Sequence, residues 1–368
     1  MDSYIIPYSF LSTEGEIQRT MLEKKRRIVI LSEGYFGDLE AKTASGLIMY
    51  KPEDVVAVLD STQAGKTVQQ ILGFGGGIPV VATLSDSLKY SPNALLIGIA
   101  PRGGKLPAEW KVVVKQALEN GMDVISGLHD MLNEDPELSK LAGSKKARIY
   151  DLRESKQYNK VSLGDPSLIK AKVILTVGTD CKTGKMVTSL EIAKQAKKHG
   201  WNSLFVATGQ TGIVIAGEGV PIDSVIGDFM SGAIEEFLVE KSCSYDLLCV
   251  EGQGTIIHPG YSGVSLALIH GSLPDAMVLC HYPGREKIKN YKVKIPPLSE
   301  MVKLHEEIAQ PVKPSKVIGI SLNTSHLTEK EAKREIEKTE EETDLPTVDP
   351  VRFGCEELVR VIEFLRNR

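Results

Sequence analysis

Short apolar runs alternate along the chain with longer segments whose apolar residues lie three and four positions apart. In the first half, residues 27–31, 55–59, 95–99 and 124–125 form the apolar runs, and residues 109–120 have the helical spacing. Runs that are apolar on both faces are typical of parallel strands that helices cover on each side. The first half is therefore predicted to be an α/β domain with a parallel sheet.

The second half repeats this alternation. Further strands are predicted at residues 173–177, 204–207, 247–250, 276–280 and 317–320. The charged segment 328–343 predicts a solvent-exposed helix. Between the halves, residues 153–167 are polar and contain Gly164 and Pro166, which predicts a linker. A chain of 368 residues suits two domains, and we expect them at residues 1–160 and 161–368.

The composition of the chain argues against nucleic acid and membranes as binding partners. Lys and Arg total 44 against 48 Asp and Glu, a net charge of −4, so the chain has no overall basic field for nucleic acid. Its apolar runs are far shorter than the roughly 20 residues that cross a bilayer. Its 5 cysteines lack paired spacing, which indicates reduced thiols. We expect a cytoplasmic protein that binds a small-molecule substrate and binds neither nucleic acid nor a membrane. Its oligomeric state is left open, with a homo-oligomer as one possibility.

One strand, turn and helix resemble a phosphate-binding loop. After the run 173–177 come Gly178, Thr179 and Asp180, and then Gly184 and Lys185 begin a helical pattern. In such a loop the backbone N–H groups and the helix N-terminus face an anion, and the lysine adds a positive charge. We predict that these five residues bind the phosphates of a nucleotide cofactor.

The loop departs from the usual pattern in two ways. Strict spacing puts a glycine where Thr179 stands, and Met186 occupies the position of the hydroxyl that holds Mg²⁺. Thr188 or Ser189 is an alternative source of that hydroxyl. The following helix is predicted to bury one face, formed by Met186, Leu190, Ala193 and Ala196. Loss of the hydroxyl fits a loop that holds a phosphate group better than one that hydrolyses it.

A second Gly-Lys turn occurs in the first half. Gly65, Lys66 and Thr67 follow the strand predicted at residues 55–59. Asp60 stands where a phosphate loop has its first glycine, and its carboxylate would repel a phosphate. We therefore expect an ordinary strand, turn and helix here.

Polar residues and glycines follow other strands of the second half. Glu251 comes directly after the run 247–250, Gly209 and Thr211 follow the run 204–207, and Asn323 follows the run 317–320. Ligands of parallel sheets bind at the carboxyl ends of the strands. We predict that Asn323 contacts the nucleotide and that Gly209 and Thr211 contact the substrate.

Longer motifs carry a family resemblance. The segment 178–185 and the pair Glu251-Gly252 resemble the nucleotide loop and the Mg²⁺-associated Glu-Gly of dethiobiotin synthetase and related P-loop amidoligases. The motifs GTDCKTGK, ATGQTGI, DSVIGDFMSGAIE, VEGQGTIIHPGYSG and MDVISGLHDML resemble the D-glutamate N-acetyltransferase-like family, long catalogued as a domain of unknown function. That resemblance implies a Rossmann-like N-terminal domain followed by a P-loop domain of the nucleoside triphosphate hydrolase type. It also implies transfer of an acetyl group from acetyl-CoA to the amino group of a D-amino acid such as D-glutamate.

Acetyl transfer to an amine needs a base, because an ammonium group must first lose a proton. His258, in the loop after Glu251, has suitable chemistry, and Glu251 either shares that role or orients His258. An acetyl-cysteine formed at Cys181 is an alternative. Arg285 and Arg102 are candidate partners for the carboxylates of a dicarboxylate substrate.

Two further hypotheses stay open. One is an ATP- and Mg²⁺-dependent ligase or kinase of the dethiobiotin-synthetase type, to which Glu251 and Asn323 are suited. The other is a non-catalytic protein that senses a nucleotide. In both, ATP or ADP takes the place of acetyl-CoA in the loop. Because Met186 replaces the hydroxyl, Mg²⁺ is possible but not expected to be required. Asp228 and Glu251 stay open as alternative metal contacts, and we assign no metal ligand.

Overall fold

The computed structural model describes residues 25–38, 41–99 and 104–367. Arg102, a candidate substrate contact, lies outside them. The chain divides into two compact units between Gln157 and Tyr158. None of the helices in the described residues combines the length and the apolar character that a membrane span requires.

The first unit contains a parallel sheet with helices between its strands. Its strands are β1 (Ile28–Leu31), β2 (Val55–Leu59), β3 (Val80–Val81), β4 (Ala94–Ile97), β5 (Asp123–Ser126) and β6 (Ile149–Asp151). Its helices are α1 (Lys42–Tyr50), α2 (Val68–Leu72), α3 (Leu84–Ser87), α4 (Ala108–Glu119) and α5 (Pro136–Lys145). The strand order is β3-β2-β1-β4-β5-β6, and the described pairings are parallel. This is the order of dinucleotide-binding folds, so the Rossmann-like prediction is confirmed.

The second unit contains another parallel sheet. Its strands are β7 (Lys172–Gly178), β8 (Ser203–Val206), β9 (Leu247–Val250), β10 (Ala276–His281), β11 (Lys316–Leu322) and β12 (Thr347–Val348). Its helices are α6 (Lys185–Lys198), α7 (Gln210–Ala216), α8 (Met230–Lys241), α9 (Ser262–Ser272), α10 (Leu298–Ala309), α11 (Glu329–Thr343) and α12 (Glu356–Glu363). The strand order is β12-β11-β10-β7-β9-β8, again with parallel pairings. The prediction of a parallel-sheet P-loop domain is confirmed.

The strand order of the second sheet predicts where a ligand binds. From β7 the chain passes to β8 on one side, and from β10 it passes to β11 on the other side. The winding direction therefore reverses between β7 and β10. Ligands of open α/β sheets bind at the carboxyl ends of the strands beside such a reversal. The loop that follows β7 begins at this edge.

An apolar core on one face of the second sheet holds β7 in place. Val173, Leu175 and Val177 of β7 are buried against side chains of the neighbouring strands and of α8 to α10. Each such side chain contributes about 1.5–3 kcal/mol when it is fully buried. The residues between them on the strand are also buried or half-buried, because helices cover both faces of the sheet. This two-sided burial explains why the strand was visible as a continuous apolar run.

The buried face of α6 differs from the predicted one. Met186 and Leu190 are only half-buried, whereas Thr188, Ser189 and Ile192 are buried with Ala193 and Ala196. The prediction chose the larger apolar residues. It failed because the hydroxyls of Thr188 and Ser189 have hydrogen-bond partners in the sheet, which makes their burial favourable.

The segment predicted as a linker is packed against the protein. The backbone N–H groups of Leu163 and Gly164 donate to the Glu235 carboxylate of α8, at 2.7 and 2.8 Å. A Cβ on Gly232 would lie 2.0 Å from the Lys160 carbonyl oxygen. The boundary between the two units lies inside the predicted linker, and the part of the segment after that boundary packs onto α8. The sequence also missed β3, β6 and β12, which are too short to show a periodic pattern.

Candidate active site

The loop between β7 and α6 closes around Lys185. Its Nζ donates to the Asp180 carbonyl oxygen at 2.8 Å and lies 3.4 Å from Thr183 Oγ1. A Cβ on Gly178 would lie 2.9 Å from that Nζ. A Cβ on Gly252 would lie 3.1 Å from Lys185 Cδ and 1.7 Å from the Thr176 carbonyl oxygen. Glycine is therefore required at position 252, which lies in the loop after β9 and packs against β7.

Lys185 is the buried cation of this site. Its side chain begins α6 and only 7% of the residue is exposed. Burial lowers the pKa of Lys185, and the nearby carboxylates of Asp180 and Glu251 oppose that effect. An ammonium group at the start of a 14-residue helix, next to the N–H groups of the loop, provides the environment in which P-loops hold phosphate.

Asp180 and Arg285 bind each other. Asp180 is fully buried, and its Oδ2 accepts from Arg285 Nη1 at 2.9 Å and from the Lys289 backbone N–H at 3.0 Å. Arg285 Nη1 also donates to the Cys181 carbonyl oxygen at 2.8 Å. The guanidinium lies 4.6 Å from the centre of the Tyr282 ring. This ion pair fastens the phosphate loop to the segment after β10, while direct ligand contacts by Asp180 and Arg285 stay predictions.

Thr179 and Asn323 flank the same loop. Thr179 Oγ1 lies 2.9 Å from His281 Nδ1, and burial lowers the pKa of His281 to about 4, so this histidine is neutral at neutral pH. A Cβ on Gly184, whose φ is +105°, would lie 3.8 Å from Asn323 Cβ. Asn323 at the end of β11 is therefore a neighbour of the loop, as its predicted contact with the nucleotide requires.

Glu251 lies at the carboxyl end of β9 and is almost completely buried. Its Oε2 accepts from the Thr208 backbone N–H at 3.1 Å, and its Oε1 accepts from Gln253 Nε2 at 3.2 Å. A Cβ on Gly212 would lie 2.4 Å from Oε2, so α7 approaches the carboxylate closely. Gly209 is the N-cap residue of this helix and Thr211 is buried in its first turn. The structure thus brings together Glu251 and both predicted substrate contacts.

His258 is held between two tyrosines. Only 3% of the residue is exposed, and its ring centre lies 4.4 Å from that of Tyr261 and 4.8 Å from that of Tyr291. Its Nδ1 accepts from the Gly260 backbone N–H at 3.0 Å. Burial lowers the pKa of His258, and the Lys185 charge lowers it further, whereas Asp180 raises it. The ring is therefore neutral at neutral pH.

Three potential metal ligands meet at the loop. One ring nitrogen of His258, Cys181 Sγ and a carboxylate oxygen of Asp180 all lie within 4.8 Å of one another. The set does not fit a metal ion well, because Asp180 is already neutralised by Arg285. The two hydroxyls that could replace the missing Mg²⁺ ligand at position 186, those of Thr188 and Ser189, already have hydrogen-bond partners. Thr188 Oγ1 lies 2.8 Å from Ser321 Oγ, and Ser189 Oγ donates to the Cys249 carbonyl oxygen at 2.8 Å.

Sequence reasoning missed several residues of this site. Tyr261 and Tyr291 enclose His258, and His281 holds Thr179. Tyr261 lies within the quoted motif VEGQGTIIHPGYSG, three residues after His258, so its proximity to His258 could have been inferred from the sequence. His281 is the last residue of β10 and Tyr291 follows that strand, and no spacing along the chain connects either residue to the phosphate loop.

Comparisons with known proteins agree with this architecture. A family model described as the P-loop domain of DUF1611, a domain of unknown function, matches residues 160–359. The model of the Rossmann-like N-terminal domain of the same family matches residues 61–155. The crystal structure of a DUF1611 family protein from Anabaena variabilis superimposes with a TM-score of 0.88 at 39% identity, covering 92% of this chain and 99% of the other.

Two curated relatives have names that describe an enzyme. A D-glutamate N-acetyltransferase from Tritonibacter scottomollicae is 40% identical over 325 residues, which are 87% of this chain and 93% of that protein. A D-glutamate N-acetyltransferase from a Pseudoalteromonas species is 37% identical over 280 residues, which are 75% of this chain and 83% of that protein. Both names belong to the acyltransferase class.

Proposed function

Because the chain belongs to the DUF1611 family, we propose that it is an N-acetyltransferase that moves an acetyl group from acetyl-CoA to the amino group of D-glutamate or a similar D-amino acid. The names of the two curated relatives support both the reaction and the acceptor. Nothing in the charge of the protein points to a polymeric substrate, since its net charge is only −4.

The observation that carries the choice of donor is the chemistry around Lys185. The loop offers a buried ammonium group, yet position 186 is Met, and the hydroxyls of Thr188 and Ser189 have partners in the sheet. Phosphoryl transfer relies on a hydroxyl at this point to hold Mg²⁺. CoA carries a diphosphate that must be held but not cleaved. The loop suits that task better than hydrolysis of a nucleoside triphosphate.

The reaction needs one base and one hydrogen-bond donor. The ammonium group of the acceptor loses a proton, and the resulting amine attacks the carbonyl carbon of the thioester. The new C–N bond forms, the C–S bond breaks, and the thiolate of CoA takes up the second amine proton. Glu251 is the best-placed carboxylate for the first proton transfer, since it lies at the carboxyl end of β9 and contributes to the charge that Lys185 experiences.

Arg285 is suited to a carboxylate of the acceptor even while it holds the loop. Its contacts to Asp180 and Cys181 both come from Nη1. A guanidinium carries five N–H donors and can bind a second carboxylate with the others. The acidic acceptor would then be held by the residue that also shapes the phosphate loop.

A ligase or kinase is the competing function, because Asn323 lies beside Gly184 and Glu251 follows β9. The deciding experiment incubates the purified protein with acetyl-CoA and D-glutamate, and separately with ATP and Mg²⁺, and follows products by mass spectrometry. We expect N-acetyl-D-glutamate and free CoA, formed equally well with a chelator. L-glutamate serves as the matched acceptor control. Mg²⁺-dependent cleavage of ATP without acetyl transfer would favour the competing function.

A further inference from the structure

The hydrogen bond between Gly260 and His258 determines which ring nitrogen carries the proton. A backbone N–H can only donate, and Gly260 N lies 3.0 Å from His258 Nδ1. Nδ1 must therefore present its lone pair. In a neutral imidazole one nitrogen is the donor and the other is the acceptor. The proton of the neutral ring is consequently on Nε2.

The surroundings of the ring keep it in this form. A proton on Nδ1 would face the N–H of Gly260, and the imidazolium form would also have to be buried. Asp180 favours the imidazolium and Lys185 opposes it, while Tyr261 and Tyr291 pack against the ring. The backbone is also held: the N–H of His258 donates to the Thr255 carbonyl oxygen at 3.0 Å, and its carbonyl oxygen accepts from Ser262 N at 3.1 Å.

A ring protonated on Nε2 cannot accept a proton there. We propose that His258 stabilises the reaction as a hydrogen-bond donor, through Nε2–H, to the carbonyl oxygen of the acyl group, and that it is not the base. This assignment rests on the proposed function and replaces the base role inferred for His258 from the sequence. With a proton on Nε2 and the lone pair of Nδ1 facing the Gly260 N–H, neither ring nitrogen offers a free lone pair to a metal ion in the Asp180, Cys181 and His258 set.

The donor role fits the charge that develops during the reaction. When the amine attacks the thioester, negative charge builds on the carbonyl oxygen, and a fixed N–H aimed at that oxygen lowers the barrier. No proton is transferred to His258 in this step. The proton from the ammonium group of the acceptor goes to another group, for which Glu251 is the proposed base, and the ring stays neutral throughout.

Two substitutions of His258 distinguish a hydrogen-bond donor role from a role as the base. The His258→Gln side chain retains an amide N–H that can donate but cannot take up a proton at neutral pH, whereas the His258→Ala side chain can do neither. We expect His258→Ala to lower kcat about 10²- to 10³-fold, the usual loss for one oxyanion donor. His258→Gln should remain within about tenfold of the unmodified enzyme, as expected when one neutral donor replaces another. Equal losses in both variants would contradict the donor role.

A second measurement does not depend on activity. ¹⁵N NMR of histidine-labelled protein without substrates reports which ring nitrogen is protonated, and the His258→Gln variant identifies the His258 signals. We expect a proton on Nε2 and none on Nδ1 at neutral pH. A proton on Nδ1 would overturn the inference whatever the activity. If the Nε2–H form is found but the unmodified protein makes no N-acetyl-D-glutamate, the proposed function fails and the inferred donor role fails with it, while the tautomer stands.

Discussion

The two Gly-Lys turns of this chain have nearly the same local sequence and opposite surroundings. Gly65, Lys66 and Thr67 follow β2, and Gly184, Lys185 and Met186 follow β7. The first turn has the hydroxyl that a phosphate loop uses, and the second lacks it. Only the second has a buried lysine. The presence of a motif residue therefore says less about function than the environment of the lysine does.

The first turn is stabilised by its own polar groups. Asp60 accepts from the backbone N–H groups of Phe36 and Thr62, at 3.0 and 2.9 Å, so its carboxylate takes the donors that an anion would need. Lys66 Nζ donates to Gln63 at the surface. The Thr67 hydroxyl caps α2, which is only 5 residues long. These contacts confirm the ordinary turn expected there.

The second turn buries its lysine within the loop, where Lys185 Nζ donates to the Asp180 carbonyl oxygen. Asp180 Oδ2 accepts from Arg285 Nη1 and from the Lys289 backbone N–H, and its Oδ1 accepts from the Cys181 backbone N–H at 2.7 Å, so this carboxylate uses one N–H of the loop. The helix that follows is long enough for its N-terminus to favour an anion. Four substitutions test this contrast, each with a partner in the other turn or the other sheet where one exists.

The largest effect is expected from Glu251→Gln. Removing the carboxylate while keeping the shape should lower kcat by about 10²- to 10⁴-fold, because a base acts mainly in the transition state. The matched control is Glu33→Gln, which changes another strand-end glutamate that accepts from the Ser61 backbone N–H. We expect the control to keep its kcat. Steady-state assays with acetyl-CoA and D-glutamate measure kcat for both variants. Near-normal turnover of Glu251→Gln would contradict the assignment of Glu251 as the base.

Lys185→Ala should weaken binding of CoA by about ten- to a hundredfold, since it removes a buried charge-assisted contact worth about 1.5–3 kcal/mol. Lys66→Ala in the first turn should leave the affinity unchanged, because its side chain is exposed. Titration calorimetry with CoA, acetyl-CoA, ADP and ATP, each with and without Mg²⁺, measures both. Equal affinity of the two variants for every ligand would rule out the second turn as the phosphate site.

Gly252→Ala should destabilise the fold by about 1–3 kcal/mol or more, because its Cβ would lie 1.7 Å from the Thr176 carbonyl oxygen. Gly65→Ala meets nothing within 4 Å and has only the strain of its φ of +88°. That strain costs about 1–2 kcal/mol. Thermal unfolding followed by circular dichroism compares the two. A higher melting temperature for Gly252→Ala than for Gly65→Ala would show that β7 and the loop after β9 can separate at little cost.

The smallest effect is expected from Met186→Thr. It restores the hydroxyl that the first turn has at Thr67, yet acetyl transfer uses no Mg²⁺, so the rate should change less than about twofold and stay insensitive to a chelator. Met186→Leu controls for the loss of side-chain packing. A gain of Mg²⁺-dependent ATP cleavage in the threonine variant would support the ligase or kinase, since Mg²⁺ would regain a protein oxygen.

Much of the fold was readable from local patterns. The long strands were found because both faces of a parallel sheet are buried, which leaves continuous apolar runs such as that of β7. The capped helix α11 was found from its charged periodicity; it begins at Glu329, and its N-cap residue Thr328 forms a capping box with Glu331. The short edge strands and the packing of residues 160–164 were missed, because two or three residues form no pattern and polar contacts leave no periodicity.

The sequence by itself determined the fold class, the phosphate loop and the set of strand-end residues from which a site is built, because these depend on order along the chain. Only the tertiary structure decided what each side chain does. It pairs Asp180 with Arg285, 105 positions apart, and encloses His258 with Tyr291. It also places the proton of His258 on Nε2 through one backbone N–H. Such roles follow from which donors and acceptors become neighbours when the strands associate, and spacing along the chain does not encode those distances.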